Sequence, residues 1–327
     1  MRILNLSVED MAGAAYTLSH AINKTQQGKH SAVAMTMVKN YINYPTMAYG
    51  KNYTVEEIKG IIDAADTIVF HTAIIPYVSA FQLTKEKLKD KKCLLYFHGS
   101  DCRQYGKAIV AQAKEHLPNF DVLVSTPDLL SAVPEAAWMP VCRSFQDITE
   151  RYKRQVASDK AAMDALKVTQ TKVNLCHAPT NVQKKGSDLF YKIITGLVEA
   201  SPTVDYIPIQ NMSWDSCLSE MSRADIYYDQ RIIGAYGLSA VEASIFKAAV
   251  FCKLNTTVQD ILKEQTGAYA PFVTWETETE IRDASTALVQ DAKLRRKVGE
   301  SCYQFSKAVH DEQPVAERFI KLVEGYR

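Results

Sequence analysis

Residues 224–252 read ADIYYDQRIIGAYGLSAVEASIFKAAVFC. The run 226–228 is short, β-branched and aromatic, as a buried strand should be. Gly234 and Gly237 punctuate a turn, after which Leu238, Val241 and Ile245 recur at helical spacing. A second apolar run, 249–252, follows at once. Strand, helix and strand in so short a span predict parallel strands in a doubly wound α/β sheet.

The same alternation extends in both directions. Short apolar runs occupy 3–6, 32–38, 67–70, 93–97 and 122–125, then 172–176, 204–209, 226–228 and 249–252. They are continuously apolar, the mark of strands covered on both faces. Helical patterns lie between them, such as Ala14, Leu18, Ala21 and Ile22, or Phe190, Ile193, Ile194 and Leu197. The alternation pauses from 143 to 171, a polar stretch containing Arg151-Tyr152-Lys153-Arg154. The expected organisation is therefore a first domain over 1–150, a linker over 151–171, a second domain over 172–310 and a closing helix over 311–327. Val315, Phe319, Leu322 and Val323 give that helix one apolar face.

Composition narrows the function. The chain has 327 residues, too many for one ordinary core, and balances 38 Lys and Arg against 37 Asp and Glu. A formal charge of +1 removes the simplest case for a nucleic-acid binder, leaving only local basic clusters at 85–92, 151–154 and 295–297. No apolar run approaches the ~20 residues that span a bilayer. The start, MRILNLSVED, reads as a strand rather than a secretory signal. Seven scattered cysteines without a C-x-x-C pair offer neither a disulfide framework nor a metal site, so no metal is expected. A cytoplasmic, reduced protein is the expectation.

Four strand-to-helix turns concentrate the chemistry. The first, Glu9 to Ala15, carries Gly13, where the backbone can approach a ligand and a helix start favours anions. In the second, His98-Gly99-Ser100-Asp101-Cys102-Arg103 crowds one strand exit with polar groups. The third, residues 176–188, reads CHAPTNVQKKGSD: Lys184 and Lys185 precede Gly186 at a helix start, an arrangement that can hold a phosphate. Its spacing is not that of a Walker loop. The fourth is the opening stretch, where Glu242 sits among apolar neighbours and therefore needs partners.

Taken together, the last two turns resemble those of the GT-B glycosyltransferases, specifically the retaining group whose second domain binds a nucleotide sugar. HAPTNVQKKGS is similar to that group's H-x-P-x-N…K-G-T loop, and residues 224–230 followed by 234–251 to its aspartate strand and G-x-x-G-x-x-x-x-E-A segment. FHGSDCR and the closing helix fit as well. The resemblance implies two Rossmann-like domains facing across a cleft, with the last helix crossing back to the first. It implies a metal-independent transferase taking a UDP- or GDP-linked sugar as co-substrate, with no further cofactor. The acceptor would be a glycan, a lipid-linked sugar or another small molecule. By the same resemblance Lys185 contacts the diphosphate, Glu242 the ribose, and the amides near Gly237, Leu238 and Ser239 the diphosphate. Gly13 would line the cleft, and His98 would act near the transferred sugar or the acceptor.

The chain departs from the pattern in three places. The first of the family's two glutamates is Gly234, so its sugar-facing carboxylate is lost or replaced by Asp229. The family's arginine before the lysine falls at Val182, with Lys184 as the substitute. The small-Pro-Val after the helix is Lys247-Ala248-Ala249-Val250. No D-x-D doublet ends a strand, which disfavours a metal-bridged transferase. A glycosidase would pair Glu242 with Asp229 or Asp101. Two alternatives remain: a non-catalytic nucleotide- or sugar-binding protein, and a transferase acting on modified DNA bases through its basic clusters.

Overall fold

A computed structural model describes residues 1–38, 46–48, 53–72, 74–158 and 172–325. It divides into two compact units, Met1–Ser144 together with His310–Arg327, and Phe145–Val309. Among the described residues no helix is long and apolar enough to cross a membrane.

The first unit holds a seven-stranded sheet of β1 (Arg2–Ser7), β2 (Ser31–Thr36), β3 (Met47–Ala48), β4 (Thr67–His71), β5 (Lys92–Phe97), β6 (Phe120–Val124) and β7 (Ala137–Trp138). The order is β3-β2-β1-β4-β5-β6-β7, and every described pairing is parallel. This is the Rossmann order, with its switch point between β1 and β4. β4 and the inner part of β5 are buried throughout, which explains their unbroken apolar runs.

The closing helix, Glu312–Glu324, belongs to this unit. Its Val315, Ala316, Phe319 and Ile320 join Ile3, Leu18, Ile22 and Tyr96 in one core. Lys24 pairs with Glu312 at 2.7 Å, and Arg318 lies over Trp138 of β7 at 4.7 Å. Arg143 and His310 join the two pieces of chain through a 2.7 Å backbone hydrogen bond.

The second unit holds β8 (Val173–His177), β9 (Val204–Pro208), β10 (Ile226–Tyr228) and β11 (Ala249–Phe251), all parallel in the order β11-β10-β8-β9. The chain steps from β8 outward to β9, then back across to β10, so the switch point lies between β8 and β10. Phe190, Tyr228, Phe251 and Trp275 pack the core, with Tyr228 and Phe251 stacked at 5.0 Å.

The expected linker is corrected in part. Phe145–Ser158 is a helix of the second unit, so the division falls after Ser144 rather than at 150. Phe145 packs edge-on against Tyr303 at 5.5 Å, Tyr152 against Phe246 at 5.4 Å, and Ile148 is buried. These positions share one helical face, and the dense charge on the other face masked the spacing. The remainder of the expected linker, 159–171, lies outside the described residues.

Candidate active site

Ligands of open α/β sheets bind beyond the carboxyl ends of the strands, at the switch point. In the second unit that point is marked by His177, which ends β8, and Tyr228, which ends β10. His177 is fully buried, with Nδ1 2.7 Å from the Tyr228 carbonyl and Nε2 2.7 Å from Ser187 Oγ. Burial pushes its pKa down to about 4. It is a neutral clamp between the two strands and the next helix.

Beyond His177 the chain makes one short helical turn, Val182–Lys185, capped by Asn181, whose Oδ1 accepts from the Lys184 amide at 2.8 Å. Gly186 ends it at φ 67° and starts the helix Ser187–Ala200. A Cβ at Gly186 would lie 2.5 Å from Arg231 Cγ, so glycine is required by conformation and by space.

This turn delivers Lys185 to the strand ends. Its Nζ donates to Asp229 Oδ1 at 2.9 Å and to Ser239 Oγ at 2.8 Å. Asp229 is wholly buried; Oδ1 also accepts from Ser239 Oγ at 2.9 Å and Oδ2 from the Gly237 amide at 2.7 Å. Burial alone would raise the Asp229 pKa, but Lys185 and these hydrogen bonds outweigh it and hold it below the usual carboxylate range. The carboxylate is thus ionised and consumed by protein partners. Asp229 is not a sugar-facing substitute for the missing glutamate. It is the anchor of Lys185.

The helix Leu238–Ile245 begins beside this cluster without a side-chain cap. The Gly237 amide is spent on Asp229, which corrects its assignment to the diphosphate, while the amides of Leu238 and Ser239 lie in the first turn, where no intrahelical partner exists. Glu242, one turn on, is nearly buried and accepts from Trp214 Nε1 at 3.1 Å. Arg151 covers the Trp214 indole at 4.9 Å and pairs with Asp215. Lys185, Ser239, Leu238 and Glu242 are therefore brought together on adjoining turns, whereas the Lys184 side chain is exposed.

Two features were not legible beforehand. Arg231 supplies a second cation beside Gly186: its Nε donates to the Gly186 carbonyl at 3.0 Å and its backbone amide to the Lys185 carbonyl at 3.1 Å. Val182 is exposed and brings no charge. Gly234, at φ 79°, lies under Asn255, whose Nδ2 stands 2.1 Å from where a Cβ would be. A glutamate there would need the Asn255 side chain to move.

Gly13 and His98 belong to the first unit. Gly13 is buried at φ 70° and starts the helix Ala14–Thr25, but Asp10 accepts from the amides of Ala15 and Tyr16 at 2.8 and 3.0 Å. The protein's own carboxylate fills the anion position expected of that turn. His98 follows β5 and is largely buried, 2.9 Å from His71 Nδ1 through Nε2, with its ring 4.2 Å from that of Tyr96. Burial, with a contribution from Arg143, pushes its pKa down to about 3, so it is a neutral imidazole.

The basic clusters are largely tied up locally. Lys89 pairs with Glu86, Lys92 with Asp121, Lys91 with the carbonyls of Asp63 and Ala65, and Arg295 with the carbonyl of Leu288.

No family model matches the chain, and no curated protein matches it. Solved structures do. HepE of Anabaena, in complex with UDP and glucose, aligns over 99% of both chains at a TM-score of 0.62 and 10% identity. Sucrose-phosphate synthase of Thermosynechococcus elongatus aligns over 99% of this chain and 98% of its own, at 0.63 and 13% identity. The UDP-GlcNAc 2-epimerase of Neisseria meningitidis, bound to UDP-GlcNAc, aligns over the whole of both chains at 0.56 and 12% identity. The fold is GT-B. Because the GT-B neighbours include both synthases and an epimerase, the reaction must be argued from the site.

Proposed function

We propose that the protein is a glycosyltransferase that moves a sugar from a UDP- or GDP-linked donor to a glycan, lipid-linked or other small acceptor, with retention and without a required metal. One observation carries the reading. At the switch point of the second sheet, Lys185 is held by a buried carboxylate and a serine hydroxyl beside the open amides of Leu238 and Ser239.

The chemical burden of sugar transfer is the charge that develops on the leaving diphosphate. A fixed ammonium and oriented amides stabilise that charge without reorganising during the reaction. Two of the three Lys185 protons point at Asp229 and Ser239, which leaves the third for a phosphate oxygen. Glu242, with one oxygen on Trp214, is the ribose partner in this reading. His98 serves the transferred sugar or the acceptor. That HepE binds UDP and glucose, and the epimerase UDP-GlcNAc, supports a nucleotide-sugar donor.

A non-catalytic binding protein is the second reading. It is favoured by Gly234, where Asn255 occupies the space of a second glutamate. A melting screen over UDP, GDP and their sugars, followed by donor hydrolysis, separates the two. A ligand at 100 times its Kd stabilises the fold by about 2.7 kcal/mol. Stabilisation with turnover supports the transferase, and stabilisation without turnover supports the binding protein. No response to any nucleotide diphosphate or its sugar rejects the transferase and leaves the second reading only as a protein that binds a free sugar. In an active enzyme, His98→Ala lowers kcat far more than nucleotide affinity.

A further inference from the structure

We propose that His71 is a positioning residue that fixes the tautomer of His98, so that His98 offers the lone pair of Nδ1, and not an N–H, at the exit of β5. The functional part of this inference rests on the transferase reading; the tautomer itself does not.

A chain of hydrogen bonds within the first unit carries the argument. Asn5 Nδ2 donates to Ser19 Oγ at 2.9 Å, which turns Asn5 Oδ1 toward His71 Nε2 at 3.1 Å. An amide oxygen only accepts, so the proton of His71 lies on Nε2. A neutral imidazole has one N–H, which makes His71 Nδ1 an acceptor. The atom 2.9 Å from it is His98 Nε2, which must then donate. The remaining nitrogen of His98, Nδ1, is left with its lone pair.

The surroundings keep this arrangement in place. Asn5, Ser19 and His71 are buried, at 0%, 4% and 4% exposure, so no solvent competes for their bonds. The planes of the two imidazoles are 17° from parallel with centroids 5.1 Å apart, as an edge-to-edge hydrogen bond allows, and Tyr96 touches both rings. Tyr96 is itself fixed by its hydroxyl, which donates to the Met139 carbonyl at 2.6 Å. Burial holds both histidines neutral, as one N–H per ring requires.

The tautomer determines what His98 can recognise. A bare ring nitrogen accepts a hydrogen bond from a hydroxyl, and it repels phosphate and carbonyl oxygens. The group opposite His98 is therefore a sugar or acceptor hydroxyl, and not the diphosphate. Removing His71 would release the constraint while leaving the His98 side chain in the protein.

Long-range proton–nitrogen correlation spectra of the full chain labelled with 15N-histidine test this directly. Seven histidines give a tractable spectrum, and His98→Gln and His71→Asn assign the two rings. Wild-type protein should show both rings protonated on Nε2. In His71→Phe, which offers no acceptor, His98 should become a mixture of tautomers. kcat should then fall at least tenfold, with nucleotide affinity within twofold. His71→Asn places an amide oxygen where Nδ1 was and should restore both the tautomer and most of the turnover. A wild-type His98 protonated on Nδ1, or one still wholly on Nε2 in His71→Phe, overturns the proposal. The wild-type spectrum decides even if that variant fails to fold. Because the spectra need no donor, the correct tautomers in a protein without turnover would reject the transferase reading alone.

Discussion

Lys185 Nζ and Asp229 Oδ1 stand 2.9 Å apart, and the carboxylate is wholly buried. The cation proposed to meet the diphosphate is thus oriented by a group that solvent does not reach. This explains why Lys185, and not its exposed neighbour Lys184, is the residue aimed at the strand ends.

Lys185→Ala should consequently do two things at once. Donor affinity and turnover fall, and the melting temperature falls too, because an unpaired buried carboxylate costs ~3–5 kcal/mol. Adding Asp229→Asn should recover much of the stability and none of the binding. Calorimetric titration and melting of the wild type and the two variants check this. Unchanged stability and affinity in Lys185→Ala would refute both roles.

Glu242→Gln preserves an oxygen for the Trp214 indole while removing the charge. The unliganded protein should melt as before. Nucleotide affinity should drop by ~1.5–3 kcal/mol, the range for a hydrogen bond to a charged group. Preference for ribonucleotide over deoxyribonucleotide should shrink with it. Lost stability with unchanged affinity would make Glu242 a purely structural partner of Trp214.

Installing a glutamate at 234, the residue the resemblance called for there, should not help. Gly234→Glu puts a side chain at φ 79°, which costs roughly 1–2 kcal/mol, and drives it into Asn255. The variant should be less stable and no faster. Gly234→Glu combined with Asn255→Gly should regain part of the loss. A melting series reads out the coupling.

Asp10 gives the first unit a defined response to pH. Burial wins over the amides of Ala15 and Tyr16 and over Arg143, and raises its pKa to about 6. An unfolded aspartate titrates near 3.9. The folded state therefore holds the proton more tightly, and the stabilisation, roughly 3 kcal/mol in all, is complete below pH ~4 and lost as pH rises through 6. Asp10→Asn keeps one oxygen to accept from one of the two amides and cannot titrate. The stability difference between wild type and variant should swing toward wild type from pH 7 down to pH 4. A flat difference over that range would place the Asp10 pKa near its ordinary value.

How far these features could be read from sequence depended on their range. β4 and β5 were legible because strands covered on both faces are continuously apolar, and the Gly186 and Gly237 turns because helix starts have local signatures. β3 and β7 escaped notice because two-residue strands have no period to read. The loop carrying Lys185 was visible, yet the use of Asp229 was not: a carboxylate facing ligand and one facing a lysine 44 positions away look alike in sequence. Arg231 was missed for a similar reason, since its place beside Gly186 depends on how a loop returns. His71 ends an apolar strand, where nothing local marks it as the partner of His98.

The discontinuous first unit has a consequence for biosynthesis. Its core is closed by Val315, Phe319 and Ile320, which leave the ribosome 171 to 176 residues after Ser144. At ~5–20 residues per second that is a wait of roughly 10–40 s, during which Leu18, Ala21 and Ile22 lack their covering helix. The second unit is contiguous and can condense first. Nascent chains should therefore carry a sticky first unit until the closing helix emerges, and a chain cut short before residue 310 should be a chaperone substrate.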